Sequence, residues 1–397
     1  MEKKKPEIRF NGFEGEWVSY AFRFLFTEKR DTTQDEFEDQ LLSCAIDGIY
    51  LNSELFNHFR GSTTIGYLKV KRYDLILSAQ NLHLGNANVN LRFASGIISP
   101  AYKVYTINGD DPYFINAWVK SEHAKNFFMS ATTEGDSLCR KNIEWEFLYD
   151  KKICVPSLSE QEKIGLFLTT LDKLIAKLEA KLDKLRKLKQ ALLEKMFVNV
   201  NGGGYETPEI RFKGYTDKWQ VKELREVFEM PTNRISGSEL QADQYISTEH
   251  ILQNFEGVEP TTSMPANLSA IRFFQNDILM ANIRPYLKKI WLSDRNGGAS
   301  SDVIVFHITI KSDPAFLYYE LTNGQFIEYV MESIQGSKMP RGNKQAMQAF
   351  KMSIAPLSEQ EQIGKCFTQI DTHFSKTSTK LTKLRNIKQS LLQKMFA

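Results

Sequence analysis

Cations set among aromatic rings are the residues in this sequence best suited to chemistry. Arg284, Lys288 and Lys289 interleave with Tyr286 and Trp291, and Lys338, Arg341, Asn343 and Lys344 follow in and beside the segment from Gly336 to Gly342. The planar forks of arginine and asparagine match the base edges of guanine and adenine, while lysine mainly neutralises phosphate. Both groups are therefore candidate nucleic-acid contacts. A weaker set lies earlier in the chain: Lys69, Lys71, Arg72, Gln80, Asn81, His83, Arg92, Arg140 and Lys141. A solvated loop carries scattered charges of the same kind, so the signal lies in the clustering and not in any one residue.

Signatures of catalysis are missing. There is no G-x-x-x-x-G-K-[ST] loop to cradle nucleotide phosphates and no G-x-G-x-x-G turn after a strand-like run. Asn282-Ile283-Arg284-Pro285-Tyr286 superficially resembles the N-P-P-Y motif of adenine methyltransferases, but it lacks the first proline and has no cofactor loop upstream. The six histidines form no pair at metal spacing, and Cys44, Cys139, Cys154 and Cys366 lie far apart with no C-x-x-C. These thiols fit a reducing cytoplasm. The predicted catalytic and metal-ligand sets are empty, and no cofactor is expected on this chain. A net charge of +3 permits nucleic-acid binding without requiring it. No apolar run approaches the roughly 20 residues that span a bilayer, and the charged start of the sequence has no apolar segment behind it.

The elements that must position these residues come from an internal duplication. Pro6-Glu7-Ile8-Arg9-Phe10-Asn11-Gly12-Phe13 with Trp17 recurs as Pro208-Glu209-Ile210-Arg211-Phe212-Lys213-Gly214-Tyr215 with Trp219. Leu158-Ser159-Glu160-Gln161-Glu162-Lys163-Ile164-Gly165 recurs as Leu357-Ser358-Glu359-Gln360-Glu361-Gln362-Ile363-Gly364, and Lys195-Met196-Phe197 as Lys394-Met395-Phe396. Between these repeats, residues 18–155 and 220–355 share almost no sequence. A duplicated frame thus carries two diverged inserts. A domain pair that merely drifted at its surface would not show so sharp a contrast.

The repeated segment reads as a helix built to pair. Ser159 to Glu162 and Ser358 to Glu361 fit the S-x-x-E capping box. Ile164, Leu168, Leu171, Ile175, Leu178, Leu182 and Leu185 step by four and three, as do Ile363, Phe367, Ile370, Phe374, Leu381 and Leu384 with Thr377 between. Such a seam predicts a coiled coil. Lys189 and Lys388 occupy the same seam slot in each copy, either as fraying ends or as register setters. At about 1.5 Å per residue each helix makes a rod roughly 55 Å long, longer than one turn of duplex at about 34 Å. Two unlike readers on such a spacer address two unlike half-sites.

The inserts mix strand-like runs with turns. Strands are predicted at Tyr73–Ala79, Ala101–Tyr105, Asn276–Ala281 and Asp302–Ile308, a turn at Gly297-Gly298, and one helix in each insert, over Asp111–Met129 and Pro314–Met331. The predicted division is a first recognition domain at 1–155, a long helix at 156–198, a Gly-rich linker at 199–207, a second recognition domain at 208–355 and a second long helix at 356–397.

The P-x-[IL]-R-F-x-G-[FY] start with its tryptophan and the L-S-E-Q-E-x-I-G entry, just after a proline, into a leucine-rich helix ending in K-M-F both occur twice and in order. Together they resemble the specificity subunits of Type I restriction–modification complexes over essentially the whole chain. The resemblance implies an α+β fold: two globular α/β target-recognition domains joined by two long antiparallel helices in a coiled coil, with internal pseudo-two-fold symmetry. It also implies a non-catalytic subunit that binds double-stranded DNA at an asymmetric bipartite target. Two methyltransferase subunits carrying S-adenosylmethionine would dock on it, together with ATP- and Mg-dependent restriction subunits. A stand-alone coiled-coil DNA-binding regulator shares the same residues and differs in needing no methyltransferase.

Overall fold

The computed structural model describes residues 5–58, 61–137, 140–200, 207–259, 261–265, 268–334 and 339–397, with the side chains of 134–141 outside that description. The glycines predicted as a linker, Gly202 to Gly204, also lie outside it. Two compact units divide the chain. The first comprises Met1–Glu179 with Thr379–Ala397, the second Ala180–Ser378. Two long helices, Leu158–Met196 and Leu357–Lys394, therefore each contribute to both units. Among the described residues no helix is long and apolar enough to cross a membrane.

Each unit opens with the repeated P-E-I-R-F segment, whose arginine is held deep in the frame. Arg9 Nε and Nη2 donate to the two carboxylate oxygens of Glu160, both at 2.7 Å. Arg211 grips Glu359 in the same way at 2.7 and 2.8 Å. Both glutamates are fully buried. This corrects the capping-box expectation. The helix starts two residues earlier than the box requires, with Glu160 N and Gln161 N both donating to Ser157 O at 2.9 and 3.0 Å. Ser159 is already helical, and Glu160 faces Arg9 across the frame.

Next to the glutamate, a glutamine joins the helix to the insert. Gln161 Oε1 accepts Asp111 N and Gln360 Oε1 accepts Asp313 N, each at 2.9 Å. Asp111 and Asp313 in turn cap short helices, accepting Phe114 N and Phe316 N at 2.7 Å. One turn on, a Cβ at Gly165 or Gly364 would collide with Asp111 Oδ1 or Asp313 Oδ1, so only glycine allows the long helix this close. The capped helices depart from expectation. Each predicted single helix is two: Pro112–Val119 and Glu122–Met129 in the first unit, Pro314–Thr322 and Gln325–Glu332 in the second. Ser121 caps a fresh start in one, and Gly324 at φ +105° turns the chain in the other.

The K-M-F ends complete the cores crosswise. Phe396 packs at 5.5 Å from Phe114 in the first unit, and Phe197 at 5.5 Å from Phe316 in the second. Trp17 and Trp219 stand edge-on to Phe114 and Phe316 at 6.0 and 5.7 Å. Backbone bonds Ile8 N to Lys394 O and Ile210 N to Lys195 O, both 3.0 Å, pin the frame to the same helix ends.

Within each unit the helix segments run antiparallel. In the second, Lys189 Nζ donates to Asp371 at 2.6 and 2.8 Å while Arg186 lies 5.7 Å over Phe374. In the first, Lys388 pairs with Asp172 and Arg385 with Glu179. The two seam lysines thus carry equivalent ion pairs and are not loose ends. Of the seam residues, Ile164, Leu168, Leu171, Ile363, Phe367, Thr377 and Leu381 are buried, and Ile175, Leu178, Leu182, Leu185, Ile370, Phe374 and Leu384 half-buried.

The inserts share a topology that their sequences hide. Four antiparallel strands lie in the order Phe26–Lys29, Tyr102–Ile107, Leu75–Ser78, Ala87–Val89 in one unit. The other has Phe228–Glu229, Val303–Ile308, Ile278–Ala281, Ile290–Leu292. Paired end strands close each insert on the frame, Val18–Ala21 with Lys152–Val155 and Gln220–Glu223 with Lys351–Ile354. Beyond this the units differ. The first adds the antiparallel strand pairs Leu42–Ala45 with Gly48–Leu51 and Thr132–Ser137 with Arg140–Ile143, the second a sheet of Arg234–Ser236, Ser269–Phe273, Gly297–Ala299 and Tyr245–Ile246. The expected Gly297-Gly298 turn is a buried strand, because Gln244 O and Ala270 Cβ approach where side chains would stand.

Arg9→Ala leaves Glu160 buried without its cation and should cost about 3–5 kcal/mol in chemical denaturation; a loss under about 1 kcal/mol would show that the fork does not hold the frame. A second expectation concerns Glu320, fully buried, with Ser353 N donating to it at 3.0 Å. Burial pushes its carboxyl up to about 8 from 4.5. Folded protein then keeps a proton that the unfolded chain releases, so this contribution is full below pH 4.5 and is lost as pH rises towards 8. Glu320→Gln should flatten the fall in denaturation midpoint between pH 5 and about 8; an equally steep profile would refute the assignment.

Candidate nucleic-acid interface

In the second unit the basic and aromatic residues gather on the connection from Ile278–Ala281 to Ile290–Leu292. A single 3-10 turn, Pro285–Leu287, is flanked by Arg284 and Lys288, both left-handed at φ 54°. A left-handed residue with a Cβ costs roughly 1–2 kcal/mol, so each needs support. Arg284 N donates to Pro340 O at 2.8 Å, and Lys288 O accepts Phe255 N at 3.0 Å. Phe255 and its neighbour Asn254 are left-handed too, at φ 62° and 54°. Four strained non-glycine residues in one bonded patch mark a surface shaped for more than packing. Arg284, Tyr286 and Lys288 stand exposed on it.

Other predicted contacts in this unit have structural duties. Lys289 Nζ donates to Thr248 O at 2.8 Å and braces the neighbouring loop. Trp291 is buried in the sheet core, 6.1 Å from Phe273, and is not a surface ring. Arg341 pairs with Asp302 at 3.0 Å beside the bridge from Ile283 to Arg341. Asn343 Oδ1 caps the helix Lys344–Gln348, accepting Gln345 N and Ala346 N at 3.0 and 3.2 Å. Its acceptor is spent there, which removes the bidentate adenine contact expected of it. Lys344 is exposed, and Lys338 lies outside the described residues.

The first unit divides similarly. Lys69 pairs with Glu38, and Arg92 forks onto Glu54 at 2.8 and 2.6 Å while lying 4.7 Å over Phe93. Both therefore bind loops of their own unit. Lys71 and Arg72 are exposed, the latter 5.5 Å over Tyr73. Gln80 and Asn81 are exposed on the connection from Leu75–Ser78 to Ala87–Val89, but His83 on the same connection is 7% exposed and belongs to the core. Arg140 and Lys141 sit on the strand Arg140–Ile143, with side chains outside the description.

Residues 216–386 match the family described as the Type I restriction modification DNA specificity domain. The Type I restriction enzyme EcoDI specificity subunit of Escherichia coli is 23% identical over 79% of this chain and 76% of its own length. The putative MjaX specificity subunit of Methanocaldococcus jannaschii is 22% identical over 80% of this chain and 71% of its own. Residues 216–386 thus carry a Type I DNA specificity domain. The crystal structure of the S subunit from M. genitalium shares the fold, with TM-score 0.63 at 15% identity and 99% coverage of both chains.

Two supports of the exposed loops escape sequence reasoning. Asn254-Phe255 carries one usable signal, an asparagine just before Glu256-Gly257, since asparagine tolerates the left-handed region. Lys120 carries none. Its ammonium is sunk beside the first unit's loop, donating to Ile46 O at 2.6 Å, Ala87 O at 2.9 Å and Asn88 Oδ1. Burial lowers it to about 8, so three acceptors offset a costly desolvation. Lys120→Met removes those bonds and should speed amide exchange across residues 79–89 by about tenfold or more, as the loss of roughly 1.4 kcal/mol of local stability would, leaving 282–289 unaffected. Unchanged exchange at 79–89 would show that Lys120 does not position this loop.

Proposed function

We propose that this chain is the DNA-reading subunit of a Type I restriction–modification complex, that it recognises an asymmetric bipartite target, and that it performs no catalysis itself. The observation that carries the reading is a contrast. One bonding network, from the arginine fork through the glutamine and aspartate caps to the K-M-F phenylalanine, is repeated almost atom for atom. The surfaces held by it are unlike: Gln80 and Asn81 in one unit, Arg284, Tyr286 and Lys288 in the other. Selection for a common platform under two different contact surfaces produces that pattern. Equivalent platforms suit two copies of one partner, as a pair of methyltransferase subunits would be, and unlike surfaces suit unlike half-sites.

In this reading S-adenosylmethionine sits on the modification subunits, and ATP and Mg on the restriction subunits, all in the cytoplasm. The paired helices serve as the spacer between half-sites. Replacing residues 220–355 with the corresponding insert of another such subunit, followed by mapping of methyladenine in cells that carry the partner subunits, tests it. One half of the methylated sequence should change while the other half persists. Change in both halves, or no bipartite methylation before the exchange, would refute the proposal.

A further inference from the structure

The two exposed connections have the same construction. Each joins the third to the fourth strand of the shared four-stranded sheet, and each is eight residues long, 79–86 and 282–289. Their hydrogen bonds match in order. Ser78 N donates to Asn86 O at 3.0 Å where Ala281 N donates to Lys289 O at 3.0 Å. Leu84 N donates to Asn81 O and Leu287 N to Arg284 O, both at 3.0 Å. Gly85 N donates to Leu82 O and Lys288 N to Pro285 O, both at 2.9 Å. The 3-10 turns Leu82–Leu84 and Pro285–Leu287 occupy the same three places, and a left-handed residue ends each, Gly85 at φ 87° and Lys288 at φ 54°.

With the hydrogen bonds in the same order, the residues correspond one to one, although the entry residues differ in backbone conformation, Asn81 at φ -119° and Arg284 at φ 54°. Leu82 and Pro285 are both buried anchors. Asn81 and Arg284 are both exposed at the entry to the turn, and neither side chain has a hydrogen-bond or carboxylate partner among the described residues. Their chemistry differs: an amide that pairs bidentately with adenine, and a guanidinium that pairs bidentately with guanine.

We infer that Asn81 and Arg284 are equivalent specificity-determining residues, one per unit, with Asn81 selecting an adenine in one half-site and Arg284 a guanine in the other. This rests on the reading of the chain as a DNA-specificity subunit. A left-handed residue closes the turn just after its last helical position in both units, whereas at the entry only Arg284 is left-handed, so the two side chains leave equivalent places from different backbone conformations. Lys288, at that closing position where the first unit has glycine, adds a cation for phosphate in the second unit alone.

The test is enrichment of bound duplexes from a randomised pool, using the full chain in the assembly recovered with it. Asn81→Ala should reduce preference at one adenine of one half-site by roughly five- to a hundredfold, the range a bidentate base contact supports. Arg284→Ala should do the same at one guanine of the other half. In each case the unaffected half reports that the protein is folded. Asn81→Arg should convert the adenine preference to guanine. An unchanged motif in both alanine variants, or a loss spread across both halves, overturns the assignment while leaving the DNA-reading function intact. A wild-type assembly that enriches no motif overturns that function, and this inference with it.

Discussion

Two fully buried glutamates, Glu160 and Glu359, set the terms for this molecule. A carboxylate taken out of water is costly unless a matched cation meets it, and the match here is a two-pronged guanidinium from the opening segment of the same unit. That requirement fixes the angle at which each long helix enters, and the entry angle governs the contacts of the next turn. Gln161 and Gln360 can reach the caps at Asp111 and Asp313 only from that entry, and Gly165 and Gly364 can slide past the same aspartates only there. Charge neutralisation, not apolar packing, thus selects one geometry out of the many that a leucine-rich helix would accept.

The frame tolerates great change beyond its bonded atoms. In the second unit Trp219 Nε1 joins the fork by donating to Glu359 at 3.1 Å, whereas Trp17 Nε1 in the first is buried without a hydrogen-bond partner among the described residues. Both rings nonetheless pack edge-on to their phenylalanines. The shared four-stranded sheets go further, since they keep strand order and the hydrogen bonds of one turn while almost every side chain differs. Backbone bonds in a sheet do not depend on side-chain identity, so the same topology persists with separate cores.

That independence explains the uneven legibility of the sequence. The duplication, the long helices and their seam are legible because burial along a helix imposes a visible period. Antiparallel pairing, which the family resemblance implies, agrees with the Lys189–Asp371 and Lys388–Asp172 ion pairs. Helix starts are misleading because Ser159 has the right type two residues too late, and nothing local reveals that Glu160 is claimed by Arg9, far off in sequence. The common build of the inserts does leave a trace, Asp111-Pro112-Tyr113-Phe114 against Asp313-Pro314-Ala315-Phe316, at the same offset that separates Trp17 from Trp219. Base-contact candidates are the least legible. Trp291, Asn343 and Arg341 have suitable chemistry but serve the core, a cap and an ion pair, and only the three-dimensional partner distinguishes a committed group from a free one.

The crosswise placement of the K-M-F ends bears on how the protein is made. On the ribosome the second unit holds all of its own residues once position 378 has emerged, including the helix end that brings Phe197 to Trp219 and Phe316. The first unit, although synthesised earlier, waits with the pocket between Trp17 and Phe114 unfilled until Phe396 arrives. Order of synthesis and order of completion are therefore reversed, and the nascent first unit spends most of translation with an apolar hole that a chaperone or a neighbouring nascent chain can reach.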